Sequence, residues 1–180
     1  MVSTDANHAA PDPSAWVCRW APCIPQGGRV LDLAAGSGRH ARMLAALGHS
    51  VIAVDRDADA MKRLEGIAGI RTRVADVEAG EWPYPGEVFA GVVVTNYLHR
   101  PLLPLLVDAV APGGVLIYET FAAGNERFGR PANPDFLLEP GELLDAVRGR
   151  LRVLAYEDLE VQAPKHAMVQ RICARNMPHS

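Results

Sequence analysis

Apolar and polar positions along this chain switch repeatedly between two periods. "RVLDLAA" is an apolar run broken by one acid, and "SGRHARMLAALG" follows with Ala41, Leu44 and Leu47 at helical spacing and Gly48 at the stop. "SVIAVDRD" predicts a second strand, and "ADAMKRLEGIAG" a second helix with Met61, Leu64 and Ile67 on one side. "IRTRVADVE" holds a short third strand. Residues 88–95 are nearly all apolar, the mark of a fourth strand buried on both faces. "RPLLPLLVDAVAPGG" predicts a helix with a glycine stop, "GVLIYETF" a fifth strand, and "GELLDAVRGR" another helix. "LRVLAYEDLEVQ" and "KHAMVQRICARN" predict strands six and seven, separated only by a turn around Pro164, so they should pair as an antiparallel hairpin. Residues 122–140 are irregular and long for a connection, which marks a functional loop. At the start, "DPSAWVCRWAPCIP" predicts a short helix capped by Asp12 or Ser14 and ended by Pro22 and Pro25; Trp16, Val17 and Trp20 share its helical spacing.

Strands alternating with helices imply an α/β fold: a three-layer, doubly wound, mostly parallel sheet with right-handed crossovers and a C-terminal antiparallel hairpin. The expected organisation is an N-terminal segment, residues 1–25, whose helix packs on one domain spanning 26–180. Residues 1–12 are small and polar and are expected to fray. With 180 residues, 49% apolar and 22% charged, one sizeable core is expected. The net charge of −3 comes with no long basic stripe, so there is no strong nucleic-acid signal. Cys18, Cys23 and Cys173 form no CxxC pair; reduced thiols are expected, with Cys173 inert, and no metal site. No apolar run reaches the ~18 residues of a membrane span, and the first residues lack the pattern of a secretory signal. The expectation is a cytoplasmic protein without membrane partners, a monomer or weak homodimer.

In such a sheet, ligands bind beyond the carboxyl ends of the strands, where strand order reverses. Three successive strand ends carry an acid: Asp32 just before the Gly36–Gly38 turn, Asp55, and Asp76. The glycines allow close backbone approach, and the helix that follows presents free N–H groups. Asp55 is placed to accept from a ribose diol, Asp76 from an exocyclic amine, and Asp32 to orient the turn or meet a cation. "GSGRHA" also matches the G-x-G-x-x-A form of the dinucleotide fingerprint, which keeps an NAD(P)-dependent oxidoreductase as an alternative. A carboxylate near a pyrophosphate is repulsive, so S-adenosylmethionine fits better: no phosphate, an ammonium, a sulfonium, a ribose and an adenine.

"VLDLAAGSGRHA", "VIAVDRD", "VADVE", "VVVTNYLHR" and "PGGVLIYETF" resemble, in that order, the successive motifs of class I S-adenosylmethionine-dependent methyltransferases. The resemblance spans about residues 28–176. "FAAGNERFGRPANPDFLLEPGELL" looks like small bacterial members of the tellurite/thiopurine-resistance type. The family's glycine-rich turn often has a third glycine; here Ala34 and Ala35 fill its first half. The resemblance implies a Rossmann-like, seven-stranded sheet with an antiparallel end. It implies that Ala34, Gly36 and Gly38 line the methionine portion, Asp55 holds the ribose hydroxyls and Arg56 flanks the adenine. Asp76 and the backbone of Val77 would meet the adenine edge, with Asn96 and Tyr97 beneath the sulfonium. It implies in-line methyl transfer; with no inserted substrate domain, a small or compact acceptor is expected, and a non-catalytic S-adenosylmethionine-binding protein is the remaining alternative.

A sulfonium methyl is already activated, so alignment can replace a conspicuous catalytic triad. If a base is required, His99 is the first candidate and Tyr97 the second, since both follow strand four. In the long loop, Arg127 and Arg130 are candidates to clamp an anionic acceptor group and Phe128 to cover an apolar part. The competing reading packs the loop on the sheet edge, its arginines paired with Glu126 and Asp135. The acceptor site is expected between the Trp16–Trp20 region, residues 96–100 and residues 122–134. Lys165 and His166 are expected in a solvated turn at the same edge, and His40 and His49 at the surface or core edge.

Overall fold

A computed structural model describes residues 11–178; the fraying expected before residue 11 lies outside the described residues. The chain begins with α1 (Ala15–Trp20), where Ser14 Oγ accepts from the N–H groups of Trp16 and Val17. The alternating part then runs β1 (Arg29–Leu33), α2 (Arg39–Ala46), β2 (Ser50–Asp55), α3 (Ala58–Lys62), β3 (Ile70–Val74) and β4 (Phe89–Thr95). It continues with α4 (Leu103–Asp108), β5 (Val110–Phe121), α5 (Glu142–Val147), β6 (Arg152–Val161) and β7 (Ala167–Arg175). The seven strands form one sheet in the order β3-β2-β1-β4-β5-β7-β6. Strands β1 to β5 pair in parallel, and β7 runs antiparallel to both β5 and β6. The order reverses between β1 and β4, and the polypeptide leaves both strands at the same edge.

Each central strand sends alternate side chains to opposite faces, which is why apolar runs rather than alternation mark them. Leu31, Val92 and Leu116 point into one core with Leu106, Leu138 and Leu143. Val30, Val93 and Ile117 point into the other with Leu44, Met61 and Val17. The second core therefore includes α1 as well as α2 and α3.

The helices are shorter than their patterns predict. Helix α3 stops at Lys62, before left-handed turns at Gly66 and Gly69, and Leu47 leaves the apolar face of α2 for solvent. The predicted helix ending at Gly113–Gly114 is a 3₁₀ turn (Arg100–Leu102) followed by six residues of α4. Both glycines belong to β5, whose pairing with β4 is irregular between Phe89 and Gly91. At Gly114 a Cβ would stand 2.8 Å from the Ala90 carbonyl oxygen and 2.9 Å from that of Phe89. The glycine lets two backbones meet there; it does not stop a helix. His40 and His49 also depart from expectation, since both are buried.

Candidate active site

The glycine turn follows β1 directly. Gly36 N–H donates to Asp55 Oδ2 at 2.8 Å, and Asp57 N–H donates to Asp55 Oδ1 at 2.9 Å. One carboxylate at the tip of β2 thus holds the turn on one side and the start of α3 on the other. Ala34 opens the turn at φ 54°, and Gly38 caps α2 in the left-handed region. Asp76 lies on the exposed loop after β3, where its Oδ1 accepts from Glu78 N–H at 3.0 Å and Ala79 N–H at 3.2 Å. Those two bonds hold its carboxyl below the usual carboxylate range.

A cleft of about 350 Å³ opens over these strand ends, bordered by Ala34, Asp55, Arg56, Asp76, Val77 and Tyr97. Leu98 and Phe136 also face it. Asn96 sits at the exit of β4 with φ 53°, its N–H held by the Glu119 carbonyl at 2.9 Å. The Tyr118 hydroxyl donates to the Tyr97 carbonyl at 2.7 Å. Burial, with Glu78 and Asp76 nearby, pushes the Tyr97 phenol well up, so at neutral pH it is a donor and not a base. His99 has extended backbone before the 3₁₀ turn.

Asp32 lies beneath the turn, 1% exposed, with Oδ2 unpartnered. Burial pushes its carboxyl up to about 7, against smaller pulls from the Ala41 N–H and Arg39.

Asn96 also borders a second cavity, of about 610 Å³, on the β5 side. Its walls include Ser14, Arg39, Glu119, Phe121, Lys165 and Arg171. Residues 11–15 form one side and the β6–β7 turn the other. The Ser14 hydroxyl donates to Glu119 Oε1 at 2.6 Å, and Arg171 Nη1 stands 3.2 Å from Glu119 Oε2. Arg171 Nε lies 3.1 Å from Glu157, and its guanidinium is stacked over Trp16 at 5.3 Å. Ser14 N–H donates to His40 Nε2 at 3.0 Å, so the ring proton is on Nδ1, 3.4 Å from the Thr95 hydroxyl. Burial, then Arg39, lowers His40 to about 4, keeping it neutral.

The long loop is partly ordered by 3₁₀ turns at Asn125–Arg127 and Pro134–Phe136. Phe128 stacks on His166 at 3.9 Å, and His166 Nε2 meets Glu160 at 2.6 Å, so the β6–β7 turn is tied to the loop and not merely solvated. The pairings expected for the arginines are not made. Arg127 Nε donates to the Gly124 carbonyl, Glu126 accepts from Gly124 N–H, and the Asp135 carbonyl takes Arg100. Arg130 borders a separate groove with Pro131 and Phe136.

The strand-end residues named from sequence therefore meet around one edge, while Arg127 and Phe128 sit against the hairpin turn. Sequence reasoning missed Glu119 and Phe136. Glu119 carried a signal, being a fourth acid at a strand end; Phe136 is brought in by contacts distant in sequence.

Residues 30–114 match a family model described as a methyltransferase domain. The matched stretch takes in the glycine turn, Asp55, Asp76, Asn96 and Tyr97. A search of curated protein sequences gives no match. Among solved structures, TehB from Haemophilus influenzae superposes with a TM-score of 0.69 at 20% identity over 89% of this chain. This chain spans 61% of that TehB chain's length. A TehB-like S-adenosylmethionine-dependent methyltransferase from Corynebacterium glutamicum gives 0.62 at 19% identity, covering 87% of this chain and 86% of that one. The glycopeptide N-methyltransferase MtfA, complexed with S-adenosylhomocysteine, gives 0.64 at 19% identity, covering 93% and 91%. At these identities the likeness establishes the fold. No helix among the described residues is long and apolar enough to cross a membrane.

Proposed function

We propose that this chain methylates a small acceptor with S-adenosylmethionine as donor, the nucleoside in the smaller cleft and the acceptor in the larger cavity. The observation that carries the reading is the position of Asn96, at the β1/β4 switch point and on the border of the second cavity, with Tyr97 facing the cleft next door. The donor set suits the cofactor. Asp32 presents a buried, unpartnered carboxylate oxygen that an ammonium would complete. Asp55 keeps accepting capacity for a ribose diol beyond its two backbone bonds, and Asp76 keeps Oδ2 for an amine. Ala34, Gly36 and Gly38 would hold the methionine portion, Arg56 and Val77 the adenine, and Asn96 the floor beneath the sulfur.

When bound, S-adenosylmethionine supplies a methyl group on a sulfonium. The chain's own work is to align the acceptor and exclude water, for which orientation alone can contribute roughly 7–11 kcal/mol. Tyr97 serves as a hydrogen-bond donor, and His99 is the base where the acceptor needs one. Arg127 and Phe128 would reach the acceptor from behind the β6–β7 turn that walls the larger cavity, and Arg130 from the neighbouring groove. The reading also takes residues 26–180 as the catalytic unit and 1–25 as an N-terminal segment whose short helix packs on it, in a cytoplasmic monomer or weak homodimer.

Asp55→Asn tests the placement. It is expected to weaken S-adenosylhomocysteine by roughly 10- to 100-fold in calorimetry, the equivalent of one charge-assisted bond of about 1.5–3 kcal/mol. Unchanged affinity overturns the placement, and binding of NAD(P)H that S-adenosylhomocysteine does not displace would favour a dinucleotide enzyme instead.

A further inference from the structure

Phe136 is 50% exposed, yet it stands on a turn that is held firmly. One guanidinium grips both of its neighbours: Arg100 Nη1 donates to the Asp135 carbonyl at 2.9 Å and Nη2 to the Leu137 carbonyl at 2.8 Å. The same guanidinium forks onto Glu142, Nε to Oε1 at 2.7 Å and Nη2 to Oε2 at 3.0 Å. Glu142 in turn accepts from Glu139 N–H at 2.8 Å. Beneath the turn, Asn133 Oδ1 accepts from Asp135 N–H at 3.1 Å, and Leu138 N–H pairs with the Phe121 carbonyl at 3.0 Å. Residue 136 is thus pinned from both sides, with its ring facing the nucleoside cleft beside Tyr97 and Leu98. Isolated exposed apolar residues need no special account. A phenyl immobilised at the mouth of a cleft by a four-bond staple does, because ordering that turn costs conformational entropy.

We propose that Phe136 is the roof of the cleft, stacking on the purine face of the bound nucleoside, and that Arg100 is a positioning residue that sets the ring through its two flanking carbonyls. The inference rests on the nucleoside reading of this cleft. The cleft offers carboxylates for the sugar and the base edge but needs an apolar plane for the base face, and half of the Phe136 surface remains to be covered. Stacking of a base on an aromatic ring is favourable for any purine. Arg100 suits the task since its planar fork meets two carbonyls and a carboxylate at once, which an ammonium does not.

Calorimetric titration with S-adenosylhomocysteine tests this. Phe136→Ala is expected to bind roughly tenfold more weakly, and Phe136→Trp within about twofold of wild type. Arg100→Gln and Arg100→Lys should each lose about fivefold or more. The double variant Arg100→Gln/Phe136→Ala should be no more than about twofold weaker than Phe136→Ala, because both act through one ring. In turnover, Phe136→Ala should raise KM for S-adenosylmethionine and leave the acceptor KM unmoved. Full affinity in Phe136→Ala, failure of tryptophan to restore it, or multiplicative losses in the double variant overturn the roof. If Asp55→Asn loses affinity while Phe136→Ala does not, the roof alone falls. If wild type does not bind S-adenosylhomocysteine, the nucleoside reading falls with it.

Discussion

At the scale of single residues, the turn after β1 carries a local cost. Ala34 adopts φ 54°, a region where a Cβ crowds the following carbonyl. The neighbouring bonds leave it no alternative: Ala35 N–H is taken by the Val54 carbonyl and Gly36 N–H by Asp55. Asn96, at φ 53°, sits in the same region with a side chain that tolerates it. Ala34→Gly should therefore stabilise the protein by about 1 kcal/mol, after the extra chain entropy of glycine in the unfolded state is subtracted. For a chain of this size that is a rise of roughly 2–4 °C in Tm, measurable by calorimetric melting. A melting point unchanged or lower would mean the turn is relaxed with alanine.

At the scale of elements, β5 depends on a contact that only a hydrogen side chain permits. Gly114→Ala places a methyl within 2.8–2.9 Å of three carbonyl oxygens. It should cost about 1–3 kcal/mol, as overpacking does, and a urea midpoint equal to wild type would count against the β4–β5 irregularity described. This position also explains what the sequence could and could not convey. Apolar runs at 30–33, 51–54 and 92–94 announced central strands, and the lack of a helical pattern between residues 161 and 167 announced the hairpin. A glycine pair after an apolar, helix-like stretch gives the same local signal whether it ends a helix or lets one strand pass close to another. The difference lies in Ala90 and Phe89, some 25 residues earlier. The site divides in the same way. The acids at strand ends were legible because strand order alone brings them together. Phe136 was not, since its position comes from Arg100 and Glu142, three segments meeting through one guanidinium. His40 reads as a residue of the surface or core edge until Ser14 of α1's cap arrives on its ring.

At the scale of the whole molecule, two buried titrating groups oppose one another. Asp32 rises to about 7 when folded, so the native state holds a proton that the unfolded chain releases at much lower pH; its contribution grows as pH falls from 7 towards 4. His40 drops to about 4, so the unfolded chain takes up the proton first and stability is lost as pH falls below the ordinary histidine value. Between pH 7.5 and 5.5 the two changes are each about 1–2 kcal/mol and opposite in sign. Wild-type stability over that window should be nearly level in this respect. Asp32→Asn removes one side, and chemical denaturation should then show about 1 kcal/mol or more lost on acidification relative to wild type; parallel pH profiles would refute the opposition. The strand order has a last consequence. Its two outermost members are β3 and β6, and their exposed positions include Arg71 and Arg73 on one and Arg152, Asp158 and Glu160 on the other. Val74, Val153 and Leu159 are exposed on the same two strands, so it is these guanidinium and carboxylate groups, not a lack of apolar surface, that discourage a neighbour from extending the ribbon.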